Sequence, residues 1–350
     1  MTDKKSGRLS QKAKIIIAFV AVIAIALGVT FFSYYMKFFG PSVTDNEEYL
    51  YIKTGSTFDD VYQTIRQKEI VKKPEVFKWV ALNMDYPKAV KPGRYLLKKG
   101  QSNRSFINML KSGSQSAVSL QFKNQRLKED FAKYISTQIE ADSSSIIRLL
   151  DSTEYINKFG FNKDNVYSMF IPNSYEIYWN TSAEKFFEKM HKEYEKFWTD
   201  ARKEKARKIG LSQLQVSALA SIVDAEALYD KEMPTIAGLY MNRYNRGMKL
   251  EADPTVIFAN KDFTIKRVLN KHLIKDSPYN TYVYTGLPPG PIMMPSIKAI
   301  DAVLNYQKHN YIYMCAKEDF SGYHNFAETM AQHQANARKF QQALNQRHIR

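Results

Sequence analysis

Leu211–Leu228, LSQLQVSALASIVDAEAL, is the stretch whose reading decides the fold. Ser212 followed three residues later by Gln215 is a capping-box start, and the run behind it carries apolar residues at helical spacing. Val216, Leu219, Ile222, Val223 and Glu226 fall on one face, whereas Gln213, Ser217, Ser221 and Asp224 fall on the opposite one. The spacing predicts an amphipathic helix with Asp224 in water and Glu226 at the end of the apolar stripe. A carboxylate held against apolar surface has a raised pKa, so a glutamic acid there stays protonated near neutral pH and can donate a proton. The plain alternative is a helix-end glutamate that swings to solvent.

Downstream, a helix stop at Gly247 precedes Glu251-Ala-Asp253-Pro254-Thr255, and Ser277-Pro-Tyr-Asn-Thr-Tyr282 follows. The segment Gly286-Leu-Pro-Pro-Gly-Pro291 cannot be regular structure, because its prolines remove donors and its glycines take special dihedrals. Such a loop lines a groove or simply connects two elements. Tyr311–Ala316 reads as a buried strand, and Gly322-Tyr-His-Asn-Phe326 sets His324 among aromatics. Polar side chains interleaved with Tyr and Phe suit a sugar polymer, whose rings offer hydroxyl edges and apolar faces. Helices before residue 230 and mixed strands and loops after it make the fold class α+β.

Upstream, Ile15–Met36 is 22 residues without a charge. As a helix it would be about 33 Å long, enough for a bilayer core. Tyr34 and Tyr35 fall where an aromatic belt belongs, and no small-x-small cleavage site follows, so an uncleaved anchor is expected rather than a signal peptide. Residues 1–14 hold Lys4, Lys5, Arg8, Lys12 and Lys14 against Asp3, which predicts a cytoplasmic tail, a single span at 15–36 and the remainder outside. The chain of 350 residues carries a net charge of +16, which favours anionic partners. The predicted topology excludes nucleic acid. The single cysteine, Cys315, permits no intrachain disulfide, and the six histidines show no paired ligand spacing, so neither a metal nor another cofactor is expected.

Between anchor and helix, residues 45–118 contain a faint repeat. Tyr51–Ile65 and Tyr95–Leu110 each read as strand, glycine turn and capped helix. The first half resembles the opening of a LysM module, a small fold that binds N-acetylglucosamine-containing glycans; a plain docking domain is the alternative. Lys53, Lys98 and Lys99 read as charges protecting strand edges.

Taken in order, Ala220–Glu226, Asn242-Arg243 with Gly247-Met248, Asp253-Pro-Thr255, Ser277–Tyr282, Gly286–Gly290 and His324-x-Phe326 resemble the MltG or YceG-like family of endolytic lytic transglycosylases. The resemblance is densest over 211–345. It implies a membrane-anchored enzyme of the cytoplasmic membrane, with a LysM-like module at 45–118 and a mixed α/β catalytic domain at 119–350. Peptidoglycan glycan strands would be its substrate and peptidoglycan synthases candidate partners. Its catalytic glutamate maps onto Glu226, which would protonate the glycosidic oxygen and then accept the proton of the 6-hydroxyl as a 1,6-anhydro ring closes. Asp253, Thr255, Tyr279, Asn280, Tyr282 and His324 are candidates for holding the sugar. The family's Glu and Thr stand here as Asp224 and Ala227, and a late His-Asn pair as His333-Gln334. Glu251 is a possible second carboxylate, which would allow inverting hydrolysis instead. A non-catalytic glycan-binding scaffold is the rival reading.

Overall fold

The computed structural model describes residues 10–347; the first nine residues of the expected cytoplasmic tail lie outside them. The chain falls into two compact units, one running up to Val118 and including Tyr178–Asn180, the other made of Ser119–Ile177 and the residues from Thr181 on.

The small unit begins with α1 (Gln11–Phe39), longer at both ends than the uncharged run. Ser10 caps its start by accepting from the Ala13 amide, and its membrane-length apolar stretch has no buried residue. The order then is β1 (Tyr49–Ile52), α2 (Phe58–Gln67), α3 (Pro74–Asn83), a 3-10 turn at Tyr86–Lys88, β2 (Gly93–Leu96) and α4 (Asn103–Ser112). The two halves of the sequence repeat become β1–α2 and β2–α4. Gly55 and Gly100 supply left-handed turns, and Thr57 and Ser102 cap the helices. The repeated strands pair antiparallel, Tyr49 opposite Leu96 and Ile52 opposite Gly93. Leu50, Ile52, Val61, Ile65, Phe77, Tyr95, Phe106 and Leu110 make the core under this sheet.

The larger unit contains most of β3 (Ala117–Gln121) and of β4 (Ser174–Tyr178), which pair; Ala117, Val118 and Tyr178 belong to the small one. Between them lie α5 (Lys128–Ser136), α6 (Ser143–Asp151) and α7 (Thr153–Asn157); α8 (Ala183–Phe197) and α9 (Asp200–Lys208) follow. Phe131, Phe170, Phe186 and Phe187 pack in one aromatic cluster beneath them. The decisive stretch forms α10 (Gln213–Glu226), opened by the reciprocal Ser212–Gln215 capping box. Next come α11 (Met233–Asn245), α12 (Asp253–Asn260), α13 (Asn270–Leu273) and α14 (Ile297–Leu304). An antiparallel hairpin, β5 (Tyr313–Ala316) with β6 (His324–Ala327), and α15 (Met330–Gln346) complete the unit. The region after 230 is thus more helical than expected, and strand β5 is shorter and half-buried, because it forms part of a cavity wall.

α10 is not amphipathic. Every residue from Val216 to Val223 is buried, Ser217 and Ser221 included. The helix is central, covered by α11 and α14, so its serines face protein and not water. The Ser221 hydroxyl donates to the Ala218 carbonyl at 2.7 Å and accepts from the Ile292 amide at 3.0 Å.

Candidate active site

Glu226 is the last residue of α10, where the helix ends against Ala227 in extended backbone. Its side chain enters a cavity of about 280 Å³ walled by α10, α11, the start of α12, the β5–β6 hairpin and α15. Its Oε1 accepts from the Tyr240 hydroxyl at 3.0 Å. Burial pushes the Glu226 carboxyl up to about 7, the Tyr240 hydrogen bond pulls it down, and the charge of Asp253 raises it further. A carboxyl balanced there exists in both protonation states near neutral pH, as a group that must both give and take a proton requires.

Asp224 points elsewhere, as its spacing predicts, but not into water. It accepts from the Asn124 side-chain amide (2.7 Å), the Ser296 amide (2.8 Å) and the Ser296 hydroxyl (3.0 Å). Burial raises its carboxyl despite those three donors. Its role is to join α10 to the start of α14, which Ser296 caps.

Four of the sequence candidates line the cavity: Glu226, Asp253, Tyr282 and His324. Asp253 opens α12, and its Oδ1 accepts from the Tyr282 hydroxyl at 2.7 Å. His324, on β6, donates its amide to one oxygen of buried Glu232 and sets Nδ1 2.8 Å from the other. Nε2 remains as the ring nitrogen that Glu232 does not engage.

The other three candidates lie outside the cavity. Thr255 and Asn280 are buried. The Thr255 hydroxyl bonds the Ala252 carbonyl and the Thr281 hydroxyl, and the Asn280 amide bonds the carbonyls of Leu273 and Lys275. They brace the loop that presents Tyr282 and Asp253. Tyr279 donates to the Asp164 carbonyl at 3.0 Å and lines a separate groove. The proline-glycine segment does not border the Glu226 cavity; Pro288, Gly290 and Pro291 are buried and Pro289 is exposed, Gly290 packs closely on the Asp164 carbonyl, and Ile292 just beyond the segment bonds Ser221 of α10.

Sequence reasoning missed Tyr240 and gave Arg243 no role of its own. Arg243 is buried, with Nε and Nη1 on the carbonyls of Lys249 and Ile312, and Nη2 on Glu251. Glu251 is thereby engaged by a guanidinium, in left-handed backbone held by its amide to the Thr281 carbonyl. His333, left open by the sequence, stacks on Tyr313 at 5.3 Å and lines the cavity, its buried Nδ1 without a hydrogen-bond partner. Burial and nearby Arg243 hold its pKa below the usual histidine range.

A family model described as the YceG-like family matches residues 50–339. The endolytic murein transglycosylase of Bacillus subtilis (strain 168) is 27% identical over 315 residues, covering 85% of this chain and 85% of its own. A protein of the same name from Streptococcus pneumoniae serotype 2 is 24% identical over 301 residues, covering 76% of this chain and 53% of its own. The chain thus spans about half the length of this pneumococcal relative. A crystal structure of a YceG-like protein from Listeria monocytogenes shares the fold, with a TM-score of 0.52 at 22% identity over 82% of this chain and 98% of that one.

Proposed function

The chain belongs to the YceG-like family, and from that premise we propose that it is a membrane-anchored endolytic murein transglycosylase. It would cut peptidoglycan glycan strands internally and leave 1,6-anhydromuramic ends. The observation that carries this reading is one half-buried carboxyl, Glu226, held near pH 7 and oriented by Tyr240 inside a polar cavity. Protonated Glu226 gives its proton to the glycosidic oxygen as that bond breaks. The resulting carboxylate takes the proton of the 6-hydroxyl of the same muramic acid, whose oxygen bonds to the anomeric carbon. Glu226 ends protonated and no water is consumed, so a second working carboxylate is not needed.

Asp253 and Tyr282, bonded to each other, and His324, fixed through Glu232, are the groups we assign to hold the sugar. The Arg243 guanidinium on Glu251 counts against a water-activating base there. The small unit's LysM-like assignment belongs to the same proposal, supported by the Tyr51–Thr57 opening that folds as strand, Gly55 turn and capped helix. α1, long and apolar enough to cross a membrane, supports the anchor. Peptidoglycan synthases remain candidate partners on the strength of the family resemblance alone.

The test is mass analysis of fragments released from purified peptidoglycan. Wild type should yield internal cuts with anhydro ends, and Glu226→Gln should lower the rate by a factor of about 10² to 10⁴ or more. Reducing ends that have taken up water would overturn the transglycosylase assignment. An active Glu226→Gln protein would overturn the role of Glu226.

A further inference from the structure

At the foot of α1 the chain turns through Gly40 into Pro41 and Ser42, and a cavity of about 450 Å³ opens beside the turn. One wall is the end of α1, Phe32, Ser33, Met36 and Lys37; the facing wall is the entry of α3, Lys72, Lys73 and Val76. Three lysines line it and no carboxylate does. Among the described residues none of the three is ion-paired. Glu75, the acid in the first turn of α3, is turned to the Tyr62 hydroxyl at 2.6 Å. Lys73 and Pro74 open α3 without a side-chain cap, so the positive end of the helix dipole adds to the lysines.

The turn is firmly set. Buried Asn103 donates to the Lys37 carbonyl at 2.9 Å and accepts from the Ser42 hydroxyl at 2.6 Å. A β-carbon on Gly40 would come within 2.5 Å of the Met36 carbonyl oxygen.

The depth of the site follows from the aromatics. Trp79 of α3 meets Tyr34 and Phe38 of α1 edge to face at 5.6 and 5.7 Å, with the Lys37 ammonium 4.7 Å from its ring centre. Such rings mark the boundary where a membrane-spanning helix leaves hydrocarbon. A cationic cavity with one greasy wall at that boundary matches a ligand with an anionic head and an apolar tail.

We propose that this cavity seats the head group of an anionic phospholipid from the adjoining leaflet. Its phosphate would lie among Lys37, Lys72 and Lys73, and its acyl chains along Phe32 and Met36. The proposal needs α1 to span the membrane and is independent of the chemistry assigned to Glu226.

The experiment uses the full-length protein in neutral detergent, titrated with short-chain phosphatidylglycerol, phosphatidylcholine or inorganic phosphate and read by native mass spectrometry. Phosphatidylglycerol should be retained in preference to phosphatidylcholine. Lys72→Gln with Lys73→Gln should weaken it about 30-fold, since each lysine near an anionic surface is worth about 1 kcal/mol. Lys53→Gln with Lys98→Gln, a control pair of exposed lysines in the same unit, should leave it unchanged. Equal retention of the two lipids, or an equal loss in the control pair, would overturn the proposal in favour of diffuse attraction. Inorganic phosphate displacing phosphatidylglycerol at equal concentration would overturn it in favour of a free-anion site.

Discussion

In the proposed function Glu226 makes two opposite demands on the protein, one on activity and one on stability. Its carboxyl sits at about 7 in the folded chain against 4.5 as a free side chain. Below pH 4.5 it is protonated folded or unfolded and costs nothing. As pH rises through 7 the folded state must bury a charge that the unfolded chain leaves in water. That shift corresponds to at most about 3 kcal/mol, and partial exposure reduces it, so the cost above pH 7 is about 1–3 kcal/mol. Glu226→Gln should therefore be more stable than wild type by about that amount at pH 8 and indistinguishable at pH 4, measured by urea unfolding. The Tyr240 hydrogen bond lowers the same carboxyl. Tyr240→Phe should consequently move the alkaline limb of the kcat/KM profile to higher pH, and a limb that stayed put would separate Tyr240 from the titration. The place of Glu226 at the end of an apolar helix run was legible from helical spacing, although the buried helix has no polar face to set it against. Tyr240 was not, because a tyrosine inside an apolar helix reads as core until its hydroxyl is seen to have a partner. Thr255 and Asn280 lie outside the cavity, their polar groups spent on backbone carbonyls, a use that composition does not distinguish from substrate binding.

α10 shows what pattern reading resolves at the scale of an element and what it does not. Its start was legible, because Ser212 and Gln215 carry a local hydrogen-bond geometry. Its surroundings were not: a helix buried on both sides has no polar face, and serines counted as solvent-facing are its close-packing residues. Asp224 accordingly behaves as a joint between elements. Asp224→Ala would leave the Asn124 amide and both Ser296 donors without their acceptor, a loss of about 2–4 kcal/mol. Its melting temperature should fall while kcat/KM, measured well below the transition, stays near wild type. Gly290, buried in the proline-glycine loop, makes the same point. A β-carbon on Gly290 would lie 1.9 Å from the Asp164 carbonyl oxygen, and its nearest neighbours are backbone atoms of Asp164 and Asn165, not a flexible side chain that could move aside. Gly290→Ala should destabilise by more than about 2 kcal/mol, visible as a lowered urea midpoint.

For the molecule as a whole, the proposed function needs the apolar helix and the charges that flank it to set where the chemistry occurs. A long apolar helix was legible because 22 uncharged residues leave few alternatives, whereas the fit of the end of α1 to Trp79 was not, since it depends on a contact between distant segments. Five basic residues precede the uncharged run and one acid accompanies them, which predicts that the N-terminus stays in the cytoplasm and the Glu226 cavity lies beyond the membrane. Alkaline phosphatase, which folds only in an oxidising compartment, should be active when fused after Arg350, and a reporter confined to the cytoplasm should be silent. The reverse pattern would put Glu226 on the side without peptidoglycan and sink the proposed function whatever the chemistry of the site. The apolar stretch of α1 buries nothing in the protein, so its removal should change location and not catalysis. Deleting residues 1–30 keeps Tyr34 and Phe38 against Trp79. That protein should leave the membrane fraction yet still cut isolated peptidoglycan at the wild-type rate. If it cut isolated strands far more slowly, the span would have to do more than hold the enzyme near its substrate.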